Sequence, residues 1–386
     1  MMWTRTTGAA LAGLALVTVW LWAGCGGDDG VTGPTGTATP TAGVDGGGGA
    51  GNSTGIGGLN LGGQASGGGM QGCDPESFSL QQAPPAEVYL LIDRSVSMNE
   101  PGATAGMTKW EELNAAVDAA LAQYHETIHF GLLMYPTGDE CETPGPQVRP
   151  GPGNRLAIQA ALSTAVPSGG TPTAAALTNA AASLGDFGSP DSPQFIVLAT
   201  DGGPNCNYFL NALPSCTCTY ANSEHCCTNY PGVCVYGSTC LDDDATVGVI
   251  SGLNGAGIDT FVIGLAGTDE YTSLLDTMAQ AGGQPQQGGS TDYYAVTDQA
   301  SLLAALQIIA VSVISCQIEL GQAPDVPDAV KIYIDGVEVP RDASKQNGWD
   351  YTDGTHTTIE LYGTACDRLQ DGEQHEVTAT FECVVR

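Results

Sequence analysis

Three short oxygen-bearing residues, Asp93, Ser95 and Ser97, stand at alternate positions directly after the apolar run Val88 to Ile92. Carboxylate and hydroxyl oxygens are the donors that a hard divalent cation such as Mg²⁺ accepts, in a rigid and nearly octahedral arrangement. Two later stretches carry the same kind of donor. Ser168-Gly169-Gly170-Thr171-Pro172-Thr173 offers a hydroxyl on a Gly-rich loop that opens a helical run, and the apolar run Phe195 to Ala199 leads into Thr200 and Asp201. An Asp-x-Ser-x-Ser string alone is also what an ordinary turn contains. The loop after Ile92 leaves the carboxyl end of a strand, which is where open α/β sheets hold their ligands.

Bringing these residues together requires strands that all end on one side of a sheet. Apolar runs near 87–92, 129–135, 195–200, 258–265 and 293–296 read as strands, and helical periodicity marks 108–124, 156–165, 174–184, 244–255, 270–281 and 302–315. Strands alternating with helices imply a doubly wound, mostly parallel sheet with helices on both faces. Residues 147–149 read as a short antiparallel partner of the 129–135 strand. Beyond residue 316 the character changes. Val330 to Val339 reads as strand, Asp335-Gly336 turn and strand, with further strands at 357–361 and 376–383, so 316–386 reads as a small all-β, sandwich-like module.

In this order and at these distances, the three donor segments resemble the metal-ion-dependent adhesion site of the von Willebrand factor type A domain. The resemblance spans about residues 86–315. It implies that the hydroxyls of Ser95 and Ser97 contact the cation directly and that Thr171 coordinates or approaches it. Asp93 and Asp201 are then expected to act largely through bound water. The ion would be Mg²⁺, or Mn²⁺ or Ca²⁺, and its remaining position would take an Asp or Glu carboxylate from a partner protein. That is recognition without a bond made or broken, so no catalytic residue is expected. Val96 stands where the family usually has Gly, which removes no ligand.

A competing string is His125-Glu126-Thr127-Ile128-His129, which matches the zinc-peptidase pattern His-Glu-x-x-His. That chemistry needs both imidazoles on one helix face with a third ligand. Here His129 runs straight into an apolar strand. A further alternative is a structural or assembly lipoprotein of the cell envelope whose metal is incidental.

Residues 1–24 carry Arg5 and then a mostly apolar run to Ala23, and read as an export signal. Leu21-Trp22-Ala23-Gly24-Cys25 resembles a bacterial lipobox, although Trp22 replaces the usual aliphatic residue, so Cys25 is the expected lipidated N-terminus. A Gly-rich stretch without hydrophobic period follows to residue 72 and reads as a flexible tether of roughly 40 Å reach. The chain is therefore expected at the outer membrane or cell surface, joined to lipid through its anchor alone. A net charge of −32, with only 10 Lys plus Arg, excludes nucleic acid or an anionic bilayer as a partner held by simple attraction.

Thirteen cysteines less Cys25 leave twelve, an even number that suits disulfides in an exported chain. Seven of them fall between Cys206 and Cys240, in an insertion (203–241) that directly follows Asp201 and should overhang the cation site. This reads as a stapled loop, with its tyrosines and Phe209 as the source of partner specificity. An odd number there asks for one bridge outward, and Cys141 lies on a loop at the same end of the sheet, so Cys141–Cys206 is expected. Cys73–Cys316 and Cys366–Cys383 are the remaining expected pairs. The type A domain is then 73–315.

Overall fold

The computed structural model describes residues 80–138, 140–210, 216–219 and 237–381. The expected export signal, Cys25, the tether, Cys73, Cys383 and most of the cysteine-rich insertion lie outside the described residues.

The described chain runs β1 (Gln81–Gln82), β2 (Glu87–Asp93), α1 (Lys109–Tyr124), β3 (His129–Tyr135), α2 (Arg155–Thr164), α3 (Thr173–Phe187) and β4 (Gln194–Thr200). It continues through α4 (Asp243–Gly255), β5 (Ile258–Gly264), α5 (Thr272–Ala281), β6 (Tyr294–Ala295) and α6 (Gln299–Val313). The last part holds β7 (Gln317–Glu319), β8 (Val330–Ile334), β9 (Val337–Val339), β10 (Gly348–Tyr351), β11 (Thr358–Tyr362), α7 (Thr364–Leu369) and β12 (Val377–Phe381).

Five strands form one sheet in the order β3-β2-β4-β5-β6, every pair parallel. All seven residues of β2 are buried, as a central strand covered on both faces must be. Strand alternation divides its side chains between two cores. Val88, Leu90 and Ile92 pack with α1 and α6, while Tyr89 and Leu91 pack with α3, α4 and α5. Because the pairing is parallel and in register, β2 and β4 finish at the same edge, which brings Asp93 and Thr200-Asp201 together. Val148 bridges Leu132 in antiparallel fashion, as the 147–149 stretch suggested.

Helix α1 starts at a reciprocal cap. The Thr108 hydroxyl accepts from the Glu111 amide, and the Glu111 carboxylate accepts from the Thr108 amide at 2.8 Å. This device fixes where the helix begins and so fixes the position of Lys109.

The C-terminal region is all-β apart from α7, and its two antiparallel sheets, β1-β7-β11-β10 and β12-β8-β9, enclose a third core around Ile332, Trp349 and Ile359. Strand β1 precedes the parallel sheet in sequence yet pairs with β7, Gln81 opposite Glu319, so this module is completed by residues from both sides of the α/β domain.

Two expected disulfides need correction. Cys316 bonds Cys366, with Cα atoms 5.4 Å apart, so Cys316 does not pair with Cys73 nor Cys366 with Cys383. The reason is α7, a turn of helix with no strong sequence signal. It buries Ala365 and Leu369 in the β core and brings Cys366 beside Cys316, which is itself buried there.

His375 joins this module electrostatically. Its ring nitrogens lie 2.7 Å from Asp335 Oδ2 and 3.1 Å from Asp371 Oδ1. The Asp335 hydrogen bond, helped by Asp371 and opposed by partial burial, raises the imidazole above its ordinary value. A raised folded value gives stability that is complete below the unfolded pKa of about 6.5 and fades as pH rises through the folded one. His375→Asn should therefore lower the melting temperature most near pH ~5.5 and least near pH ~8.5. Melting curves of both proteins across that range check this; a deficit that does not change with pH would contradict it.

Candidate functional site

Asp93 ends β2, wholly buried, and both of its oxygens accept hydrogen bonds from neighbours. Oδ1 accepts from the Ser95 amide at 2.8 Å and Oδ2 accepts from the Thr200 hydroxyl at 2.6 Å. The first contact turns the chain sharply after the strand and presents the Ser95 and Ser97 hydroxyls, 3.0 Å apart. Ser97 then donates to Asp201 Oδ1 at 2.8 Å, across 104 positions of sequence. Two hydroxyls and a carboxylate from separate strand ends are thus in direct contact.

The third loop is stitched to the first by backbone. Val96 N donates to Gly169 O at 3.1 Å and Ser168 N to Arg94 O at 2.8 Å. Gly169 has φ +79, and a Cβ there would collide with the Glu140 carbonyl, so glycine is required. Thr171 is buried and lines the same cleft as Ser95, Ser97 and Asp201. Asn205 clamps its peptide from both sides: its side-chain carbonyl accepts from Thr171 N at 2.7 Å and its own amide donates to Thr171 O at 2.8 Å. The next residue, Cys206, is bonded to Cys141 with Cα atoms 5.6 Å apart. That bridge packs so closely that a Cβ on Gly170 would lie 2.6 Å from Cys206 Sγ. Cys216 is bonded to Cys240, also at a Cα separation of 5.6 Å.

Val96, in place of the smaller residue usual in this motif, is half exposed at the cleft rim and is not among the non-glycine residues with positive φ. The loop accommodates it without backbone strain.

Lys109 is the site residue that sequence reading missed. Its ammonium lies 2.9 Å from Asp201 Oδ2 and 2.9 Å from Glu100 Oε2, with only 8% of the side chain exposed. Burial alone would lower its pKa, but the two carboxylates outweigh burial and hold it above the ordinary lysine range. Burial, and next the Asp201 charge, push the Asp93 carboxyl up to about 7. A signal for Lys109 was available: a cation at the first position of a helix opposes the helix dipole and so asks for a carboxylate nearby.

The donor set fits a hard dication. All its members are oxygens, Ser95, Ser97, Thr171 and Asp201 line one open cleft, and Asp201 has already attracted an internal positive charge. Zinc chemistry does not fit the 125–129 string: His125 caps the end of α1 while His129 opens β3, so the two rings do not share a helix face. Among the described residues, no group of three or more His, Cys, Asp or Glu side chains is arranged to hold a metal.

A parallel sheet wrapped on both faces, with Asp-x-Ser-x-Ser, Thr and Asp loops meeting at one edge, defines a type A-like α/β domain. The von Willebrand factor type A domain family matches residues 87–307, and the chain belongs to that family. No curated protein matches it. Among solved structures it is similar to the pilus adhesin SpaC from Lactobacillus rhamnosus GG, at 14% identity and TM-score 0.44 over 78% of this chain and 40% of that one. It is also similar to the PilB minor pilin from Streptococcus sanguinis, at 18% identity and TM-score 0.41 over 58% and 61% of the two chains. Manganese-loaded TRAP protein from Plasmodium vivax matches at 16% identity and TM-score 0.42, over 81% of this chain and all of that one. This chain thus spans less than two thirds of the SpaC and PilB chains.

Proposed function

We propose that this chain is an exported recognition protein that captures a carboxylate of a partner protein through a divalent cation. Ser95, Ser97 and Thr171 would hold the ion, and Asp93 and Asp201 would offset its charge through water. When bound, the ion supplies an electrophilic position for one further anionic oxygen. The chain's own residues orient that position: Asp93 shapes the loop, Asn205 clamps Thr171, and the Cys141–Cys206 bridge braces the clamp. The reaction class is binding, with no covalent step.

The observation that carries this reading is the contact of Ser95, Ser97 and Asp201 oxygens at the edge of an open cleft. Hydroxyl and carboxylate oxygens brought together from separate loops are the donor type that a hard ion takes, which supports the reading. The disulfides support an oxidising compartment outside the cytosol. In this proposal residues 1–24 direct export, Cys25 carries lipid, and the Gly-rich stretch holds the domain away from an outer-membrane or cell surface. Among the described residues, no helix is long and apolar enough to cross a membrane.

A structural envelope lipoprotein with an incidental metal gains one supporting observation, the Lys109–Asp201 pair, which holds the site together without an ion. A pull-down from envelope extract separates the two. A metal-bridged partner should elute with EDTA and rebind when Mg²⁺ is restored; a partner that stays bound through chelation would end the recognition reading.

A further inference from the structure

Lys109 occupies a place that none of the recognition chemistry above requires. It is a buried ammonium bound to the same carboxylate whose other oxygen holds Ser97. Its position is set by the capped start of α1 and by a tight fit against the loop after β5, where a Cβ on Gly267 would lie 3.0 Å from Nζ. The second carboxylate on it, Glu100, is mostly exposed, at 63% of its side chain. Asp201, by contrast, is completely shielded. Asp201 is therefore the stronger electrostatic partner, because interactions weaken as solvent screens them.

From this contact we infer that Lys109 is a built-in cation that shares Asp201 with the divalent ion and holds down the affinity of the partner-free site. The inference rests on the cation-dependent reading of the same site. A positive charge already neutralising Asp201 leaves less negative charge to attract a dication, and the two cations repel across a few ångströms of partly desolvated protein. The same ammonium keeps Asp201 and Ser97 in place when no ion is bound, so the loops stand assembled in advance. An arriving carboxylate restores the negative charge that Lys109 cancels. Ion and partner should consequently bind with positive coupling, each raising the affinity for the other. Lys109 is a positioning and charge-setting residue, not a ligand.

The test uses the full chain, stripped of metal, with Mn²⁺ as the probe. Mn²⁺ affinity is measured by calorimetry for wild type, Lys109→Met and Lys109→Gln, and melting temperatures are taken in EDTA and in saturating Mn²⁺. Both variants should bind Mn²⁺ at least about tenfold more tightly, equivalent to about 1.4 kcal/mol. Both should also melt below wild type in EDTA and recover more than wild type does on adding Mn²⁺, since a ligand stabilises according to its affinity for the folded state. A purely structural lysine would lower melting equally in both conditions and leave affinity unchanged or weaker, which would overturn the inference while leaving the recognition reading intact. Binding by the variants but not by wild type would uphold the inference, with Lys109 holding the partner-free affinity of the wild type below the measured range. Absence of binding in all three would remove both. If Lys109→Met does not fold, Lys109→Gln, which keeps a hydrogen-bond donor toward Asp201, decides the matter alone.

Discussion

Replacing Ser95 and Ser97 together with alanine is expected to lower Mn²⁺ affinity by at least about a hundredfold while leaving the domain folded. Changes one shell removed from a metal typically cost 10–100-fold. Here the two proposed direct donors are lost, and Asp201 Oδ1 also loses the Ser97 hydroxyl that donates to it at 2.8 Å. Asp201 would remain paired with Lys109, and Asp93 would keep its contacts with the residue-95 amide and Thr200, so the strand ends should stay in position. The expected cost in stability is only about 1 kcal/mol per lost hydrogen bond. Calorimetry reads the affinity and a melting curve reads the fold. Retained affinity in the double variant would show that the ion sits elsewhere.

Leu91→Ala should give the largest loss of stability, about 3–5 kcal/mol. Leu91 is completely buried in β2, opposite Leu133 of β3 and Leu198 of β4 in register, and packs into the core formed with α3, α4 and α5. Collapse around the missing atoms is hindered because neighbours on both sides belong to a continuous parallel sheet. Urea unfolding should show a lower midpoint with an unchanged slope. The contrasting variant is Leu156→Ala on α2, where the side chain is 76% exposed and the expected change stays within about 0.5 kcal/mol. Equal losses at both positions would contradict the division of this sheet into buried faces.

The residues that meet at this sheet edge could be singled out in the chain because their chemistry is local. Asp93, Ser95 and Ser97 advertise themselves by type and spacing, and the strands that precede Asp93 and Asp201 are unbroken apolar runs. The α/β elements were readable for the same reason, since helical and strand periods are carried within each segment. What was not readable depends on contacts between distant segments. Asn205 belongs to no motif in the sequence, yet it holds Thr171 through two hydrogen bonds. Lys109 stands against the dipole at a helix start, which asks for a carboxylate without saying which one, and only the fold delivers Asp201 to it. In the C-terminal module, β7, β10 and α7 are each six residues or fewer, too short for a period to emerge. Missing α7 is what misassigned Cys316 and Cys366.

The coupling of these parts gives the site its character. The disulfide bridge and Asn205 fix the Thr171 loop, the strand register fixes Asp93 against Asp201, and the helix cap fixes Lys109. On the proposed function, little would remain to be organised when an ion arrives, so its binding energy would go into coordination and not into ordering loops.

The most direct measurement is calorimetric titration of Mn²⁺ into the metal-stripped full chain, beside the Ser95→Ala/Ser97→Ala chain under the same buffer. A single saturable site in the wild type, displaced by excess Mg²⁺ and absent from the double variant, is the expected result. No saturable heat in either the wild type or Lys109→Gln, or the same isotherm in the wild type and the double variant, would contradict a cation site built from these three loops.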